Sequence, residues 1–168
     1  HLDCRRQRQM CIRDRTYANS RRLEKSFRLQ GADLETEYTA IEAAIQRPLV
    51  KEADFHGKAA HLAHREEDPC AILCTMTLDD LNVSGKTRYP VGISPIIDPA
   101  TGEVPIDSKG RRSYTTGMSY CPSLKKFVVM GYLPKEIAIQ GKSLLIEYFN
   151  EDGDGLYPVT VQIVGKGS

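Results

Sequence analysis

Three histidines, His56, His61 and His64, stand beside Asp54 in one short stretch. His61 and His64 have the spacing that puts two imidazoles on one helix face, where they could share a metal ion. No third ligand follows at metal-site spacing, and Glu66 and Glu67 make this a solvated face, so no metal is expected. Asp152-Gly-Asp154-Gly has the outline of a calcium loop. The alternating oxygen ligands and the closing glutamate of such a loop do not follow, and a hairpin turn is expected instead. From Ser113 to Lys126 hydroxyl side chains crowd together. This run has neither the G-x-S-x-G of a nucleophile elbow nor the spacing of a phosphate loop, and no base is paired with it. It reads as a strand, a tight polar turn at Gly117 and a loop at Pro122. Cys70, Cys74 and Cys121 lack paired short spacings, which points to free buried thiols in a reducing compartment rather than disulfides or a zinc knuckle.

Charge is unevenly spread. The 168 residues carry a formal net +1. Residues 1–15 hold five arginines against Asp3 and Asp14, a net +3, so the rest of the chain is at −2. A basic arm for RNA or targeting is one reading of such a run, and a disordered tail is another. The string RRQRQMCIRDR also resembles the peptide obtained when sequencing-adapter DNA is translated in frame. On that ground residues 1–15 are taken as a non-native tail, Cys4 and Cys11 are set aside with it, and native sequence is expected from near Thr16. Without the tail there is no global field to attract nucleic acid. No apolar window reaches the roughly 18 residues of a membrane span, and no secretory leader is expected. No nucleic-acid or membrane partner is expected, and the cytoplasm is the expected compartment.

The elements that would position these groups change character along the chain. Tyr17 to Leu29 predicts a helix, with Leu23 and Phe27 on one face, Glu24 paired with Arg28, and Gly31 closing it. Thr39-Ala-Ile-Glu42 has capping-box spacing, and Pro48 stops the short turn it starts. Asp54 is placed to cap a further helix to about Glu66, with Ala59, Leu62 and Ala63 as its apolar face. From Cys70 the period becomes two: Ile72, Cys74, Met76 and Leu78 alternate with their neighbours. Phe127 to Leu133 is almost continuously apolar, the pattern of a strand covered on both faces. Leu144, Ile146 and Tyr148 alternate, as do Tyr157, Val159, Val161 and Ile163, with a hairpin turn from Asn150 to Gly155 between them. Residues 81–112 are too rich in glycine and proline for long strands and predict short edge strands and turns, including Asp98 to Gly102. The fold class is therefore α+β, a helical N-terminal segment followed by a closed or nearly closed antiparallel β unit.

Four segments resemble, in order, the C-terminal half of the aminomethyltransferase (glycine cleavage T-protein) superfamily. Asn19 to Leu34 is similar to its "SLRLEK-F-x-x-x-G-x-D-L" helix, and Glu37 to Ile45 to its "T-P-x-E-A-G-L" turn. Ala53 to Ala60 resembles "DFIGKEAL". Tyr114 to Lys126, with Val129 to Pro134, resembles "VTSG-x-x-SPSLKK…AMGYVP". The resemblance implies an antiparallel β-barrel of the T-protein C-terminal type, closing a cleft over tetrahydrofolate in an enzyme that carries one-carbon units. It implies that residues 16–67 are the helical end of a folate-binding domain and residues 68–168 a β-barrel domain incomplete at its end. The catalytic aspartate of the family lies in an N-terminal part expected to be missing from this chain, so no catalytic residue is assigned and the fragment alone is expected to be inactive.

Where glycine cleavage proteins have "ARDSLRLE", whose first arginine contacts substrate, this chain has Ala18. That resembles the folate domain of dimethylglycine and sarcosine dehydrogenases, which carry an FAD-dependent amine oxidase domain upstream. Gln30, where that branch often has tryptophan, and Ala40, in place of the turn's proline, depart from the pattern. The implied cofactors are tetrahydrofolate and, in the upstream domain, FAD; the implied partners are a methylated amine substrate, folate and the missing N-terminal domain. The alternatives are a glycine cleavage T-protein proper, a stand-alone folate-dependent demethylase, or a non-catalytic folate-binding module. Tyr38, Glu42 and Arg47 are the candidate folate-cleft residues: an aromatic ring to stack on the ligand and an arginine for its glutamyl carboxylate. For Glu42 the competing reading is a capping-box partner of Thr39.

Overall fold

A computed structural model describes residues 19–46, 49–78, 93–150 and 153–165. The expected tail at residues 1–15, Ala18, Arg47, Pro48 and Asp152 lie outside the described residues.

Six strands form the body: β1 (Ala71–Leu78), β2 (Ile96–Ile97), β3 (Thr115–Cys121), β4 (Lys126–Pro134), β5 (Ser143–Asn150) and β6 (Gly153–Val164). They make one antiparallel sheet in the order β2-β5-β6-β1-β4-β3. The sheet curls until its edges meet. Pro95 bridges Tyr114, the Ile93 N–H donates to the Thr115 carbonyl at 2.6 Å, and the Thr115 N–H donates to that of Ser94 at 2.9 Å. A further bond runs from the Ile96 N–H to the Ser113 carbonyl at 3.2 Å. Joining the edges satisfies backbone groups that an open sheet would leave unpaired. Gly131 sits at this closure because a side chain there would meet both the Tyr114 carbonyl and Ile96 Cδ1 at 2.8 Å.

Alternation divides the apolar side chains between two cores. Cys74, Met76 and Leu78 of β1, Phe127, Val129 and Leu133 of β4, Leu144 and Ile146 of β5, and Val159 and Val161 of β6 fill the barrel. The intervening positions, Ala71 and Leu73 of β1 and Val128, Met130 and Tyr132 of β4, face outward into a second core with Leu23, Tyr38 and Ala43. The N-terminal segment thus covers β1 and β4 from outside. That is why β4 reads as apolar on both faces.

The helix expected over 17–29 stops early. Among the described residues a π-helical start at 19–20 runs into α1 (Arg21–Glu24), and Ser26 adopts φ +52°, which ends it. The cause is tertiary: buried Ser26 shares a 2.7 Å hydroxyl hydrogen bond with Thr75 of β1. Phe27 consequently leaves the face of Leu23 and is 60% exposed. Gly31, at φ +81°, begins a turn whose ends bridge Gln30 to Leu34, rather than closing a helix.

The later helix α2 (Lys58–Glu66) starts after Gly57 at φ +83° rather than at Asp54, whose carboxylate accepts the neighbouring Phe55 N–H at 3.0 Å. None of its residues is buried. Gly117 is not a turn but lies inside β3 at a bulge. A Cβ there would come within 2.8 Å of Arg22 Nη2, so the glycine makes room for a guanidinium.

The turn from Asp98 to Gly102 forms as read, with its ends bridged between Asp98 and Glu103. β5 and β6 pair up to Asn150 opposite Gly153, so Gly155 belongs to a strand. Among the described residues, no helix is long and apolar enough to cross a membrane.

Candidate functional site

The turn after Leu34 is built by its own side chains. Glu42 Oε2 accepts the Thr39 N–H at 2.8 Å, while Thr39 Oγ1 accepts the Glu42 N–H at 3.2 Å. This is the reciprocal capping arrangement that the spacing predicted. The chain then turns back at Ala44, φ +52°.

Arg111, from the loop before β3, locks that turn in place. Asp107 organises the loop by accepting the N–H groups of Lys109 at 3.0 Å and Arg111 at 2.9 Å, and it holds Arg111 Nε at 2.7 Å. The rest of the guanidinium reaches the turn. Nη2 donates to Glu42 Oε1 and Nη1 to the Glu37 carbonyl, each at 2.5 Å. The Arg111 guanidinium carbon also lies 4.3 Å from the Tyr38 ring centroid. The other face of Tyr38 is stacked on Tyr132, centroids 3.5 Å apart and planes within 3°. Burial of Glu42 favours its neutral form, but Arg111 and the Thr39 N–H outweigh it and hold the carboxyl below its usual range. Burial likewise opposes the Arg111 charge, and Glu42 with Asp107 overcomes it, holding the guanidinium above its usual range. Burial raises the phenols of Tyr38 and Tyr132.

A second node anchors the same segment to the barrel. Asp33, fully buried, pairs with Arg22 Nη1 at 2.5 Å and accepts the Thr116 hydroxyl at 2.5 Å and the Leu29 N–H at 2.8 Å. Its carbonyl accepts the Tyr132 hydroxyl at 2.7 Å. Arg28 ties the segment to the chain's far end, donating to the carbonyls of Ala43 at 3.0 Å and Gly165 at 2.7 Å.

Between these nodes lies an open groove of about 510 Å³. Leu34, Ala43 and Ile45 give it apolar surface; Gln30, Glu35, Thr36 and Thr39 give it polar groups. Of the three sequence candidates, Tyr38 lines the groove, Glu42 lies behind the turn with its carboxylate on Arg111, and Arg47 lies outside the described residues. Both faces of Tyr38 are already engaged, so it offers the groove an edge rather than a stacking surface. Sequence reasoning passed over Arg111, Asp107, Asp33 and Tyr132. The one local signal was Asp107-Ser-Lys-Gly110 just ahead of an arginine, the composition of a turn that presents its next side chain. Among the described residues, no cluster of three histidine, cysteine or acidic side chains could hold a metal ion.

No family model matches the chain. It is 30% identical over 152 residues to mitochondrial dimethylglycine dehydrogenase of Mus musculus, and 28% identical over 152 residues to that of Rattus norvegicus. Each match covers 87% of this chain and 15% of the relative. An aminomethyltransferase of Francisella philomiragia is 29% identical over 134 residues, covering 75% of this chain and 33% of that protein. The glycine cleavage system aminomethyltransferase T of Bartonella henselae shares the fold, with a TM-score of 0.63 at 21% identity, over 86% of this chain and 36% of that one. The chain therefore spans a third or less of these curated relatives.

Proposed function

We propose that this aminomethyltransferase-like, dimethylglycine dehydrogenase-like C-terminal domain forms one wall of a tetrahydrofolate site in a longer one-carbon-transferring enzyme. The observation that carries the reading is the groove beside the Tyr38 turn. Its volume falls within the roughly 300–1,000 Å³ of small-molecule sites, and its mix of apolar surface, hydroxyl and amide groups and the Glu35 carboxylate suits a flat heteroaromatic ligand whose polar edge carries N–H donors. Bound tetrahydrofolate would supply the nitrogens that accept a one-carbon unit. The chain's own residues bind and orient: Leu34, Ala43 and Ile45 exclude water, Tyr38 presents its ring edge, and Gln30, Thr36 and Thr39 offer hydrogen bonds. Arg47 is the side chain proposed for the ligand's glutamyl carboxylate. Glu42 shapes the wall from behind, its charge already neutralised by Arg111.

Residues 16–67 are proposed as the end of the folate-binding domain and residues 68–168 as the barrel domain that packs against it. The resemblance to dimethylglycine dehydrogenase supports a full-length protein in which an FAD-dependent domain oxidises a methylated amine and this part hands the carbon to folate.

Isothermal titration of the full-length gene product with tetrahydrofolate tests the proposal. Binding is expected, and Thr36→Trp, an exposed position on the groove, is expected to weaken it by at least ~10-fold. Absence of binding by the unsubstituted protein would overturn the reading.

A further inference from the structure

We infer that Arg111 is the positioning residue of the groove, a role that rests on the folate reading above and deepens it. Arg111 does not itself line the groove. Asp107 holds it from its own loop, and its remaining partners all belong to the groove-forming turn: the Glu37 carbonyl, the Tyr38 ring and the Glu42 carboxylate. These contacts join segments 69 and 74 residues apart in sequence. The guanidinium thus sets three features of the wall together. It fixes the height of the turn through Glu37, the tilt of the Tyr38 ring through its face, and the capping geometry of Thr39 through Glu42.

Tyr132 covers one face of Tyr38 and Tyr114 meets its side chain by a hydrogen bond, which leaves Arg111 as the group that covers the ring's other face and joins it to the Asp107 loop. A lysine could not substitute. Its ammonium is one compact charge that can meet a carboxylate, whereas the planar fork meets a carboxylate, a carbonyl and a ring face simultaneously. Arg111 therefore acts on the ligand through Tyr38 and Thr39, and prebuilding the wall spares the ligand the cost of ordering it.

The test uses the full-length gene product with tetrahydrofolate as the titrant, comparing Arg111→Lys and Arg111→Ala with the unsubstituted protein. Lys142→Met is the control for simple loss of an ion pair, because Lys142 pairs with Asp98 at 2.9 Å and neither residue lines the groove. The expected result is about tenfold weaker binding for Arg111→Lys, unchanged binding for Lys142→Met despite a lower Tm, and restoration of Arg111→Ala by millimolar guanidinium but not ammonium. Should Arg111→Ala fail to fold, Arg111→Lys decides alone. Folded Arg111→Lys binding as tightly as the unsubstituted protein would overturn the inference, as would an equal loss in Lys142→Met. No binding by the unsubstituted protein would instead overturn the folate reading on which the inference stands.

Discussion

At the scale of single residues, the Glu42 carboxylate is the most consequential charge in the N-terminal segment. It is 1% exposed, and it accepts two hydrogen bonds from Thr39 as well as the Arg111 pair. Replacing it by glutamine keeps the shape but leaves Asp107 as the one carboxylate on the Arg111 guanidinium among the contacts described, and hydrogen bonds to charged groups contribute about 1.5–3 kcal/mol. Glu42→Gln is therefore expected to destabilise the fold by about 2 kcal/mol, measured by urea unfolding at pH 7. The pH dependence follows from the same contact. The folded carboxyl titrates below its ordinary value, so its contribution is fully present above the unfolded pKa of about 4.3 and is lost as pH falls through the folded value. A plot of Tm against pH should slope more gently below about pH 4.3 in Glu42→Gln than in the parent. Identical slopes would show that Glu42 is not charged in the native state.

Elements show which kinds of information a sequence carries locally. The Thr39–Glu42 cap was legible because both partners sit three residues apart and the geometry repeats wherever a helical turn begins. Strands β1, β5 and β6 were legible from alternation, and β4 from a near-continuous apolar run that correctly announced a cover on its outer face. The helix read over 17–29 failed for the opposite reason. Its face was drawn from Leu23 and Phe27, but the hydroxyl of Thr75, 49 residues beyond Ser26, turns the backbone before Phe27 is reached. Gly117 was misread similarly, because the guanidinium that requires a glycine there comes from Arg22. Of the candidate site, Tyr38 on the groove wall was legible and its clamp was not, since Arg111 lies 69 residues from Glu42.

The two helices also differ in how they are held, and substitution should separate them. Leu23 in α1 is 1% exposed in the outer core, whereas Leu62 in α2 is 41% exposed on a helix that buries nothing. Leu23→Ala is expected to lower unfolding free energy by about 2–5 kcal/mol and Leu62→Ala by under about 0.5 kcal/mol. Chemical denaturation of the two variants checks this, and equal losses would mean that α2 docks on the barrel.

For the whole molecule, the essential relation is between a barrel closed on itself and a segment laid over its outside, and two cysteines report on them separately. Cys74 lies inside the barrel and Cys121 in the outer core, where its thiol donates to the Ser20 carbonyl at 3.3 Å. Burial pushes the Cys74 thiol up to about 12 and the Cys121 thiol up to about 11. Alkylation requires both access and a thiolate, so both should resist iodoacetamide at pH 8 in the native protein while half-buried Cys70 is modified. Peptide mass spectrometry after a timed pulse reads each position. The order of loss on adding urea is the sharper expectation. Peeling the segment from β3 and β4 uncovers Cys121 without breaking a strand ladder, whereas reaching Cys74 requires parting β1 from β4 or β6, which pair along most of its length. Local openings cost less than global ones when fewer buried contacts and backbone bonds are broken. Cys121 should therefore become reactive at lower urea than Cys74. Simultaneous exposure would mean that the outer segment and the barrel unfold as one cooperative unit, and earlier exposure of Cys74 would mean that the edge bonding at Pro95 and Tyr114 does not close the barrel.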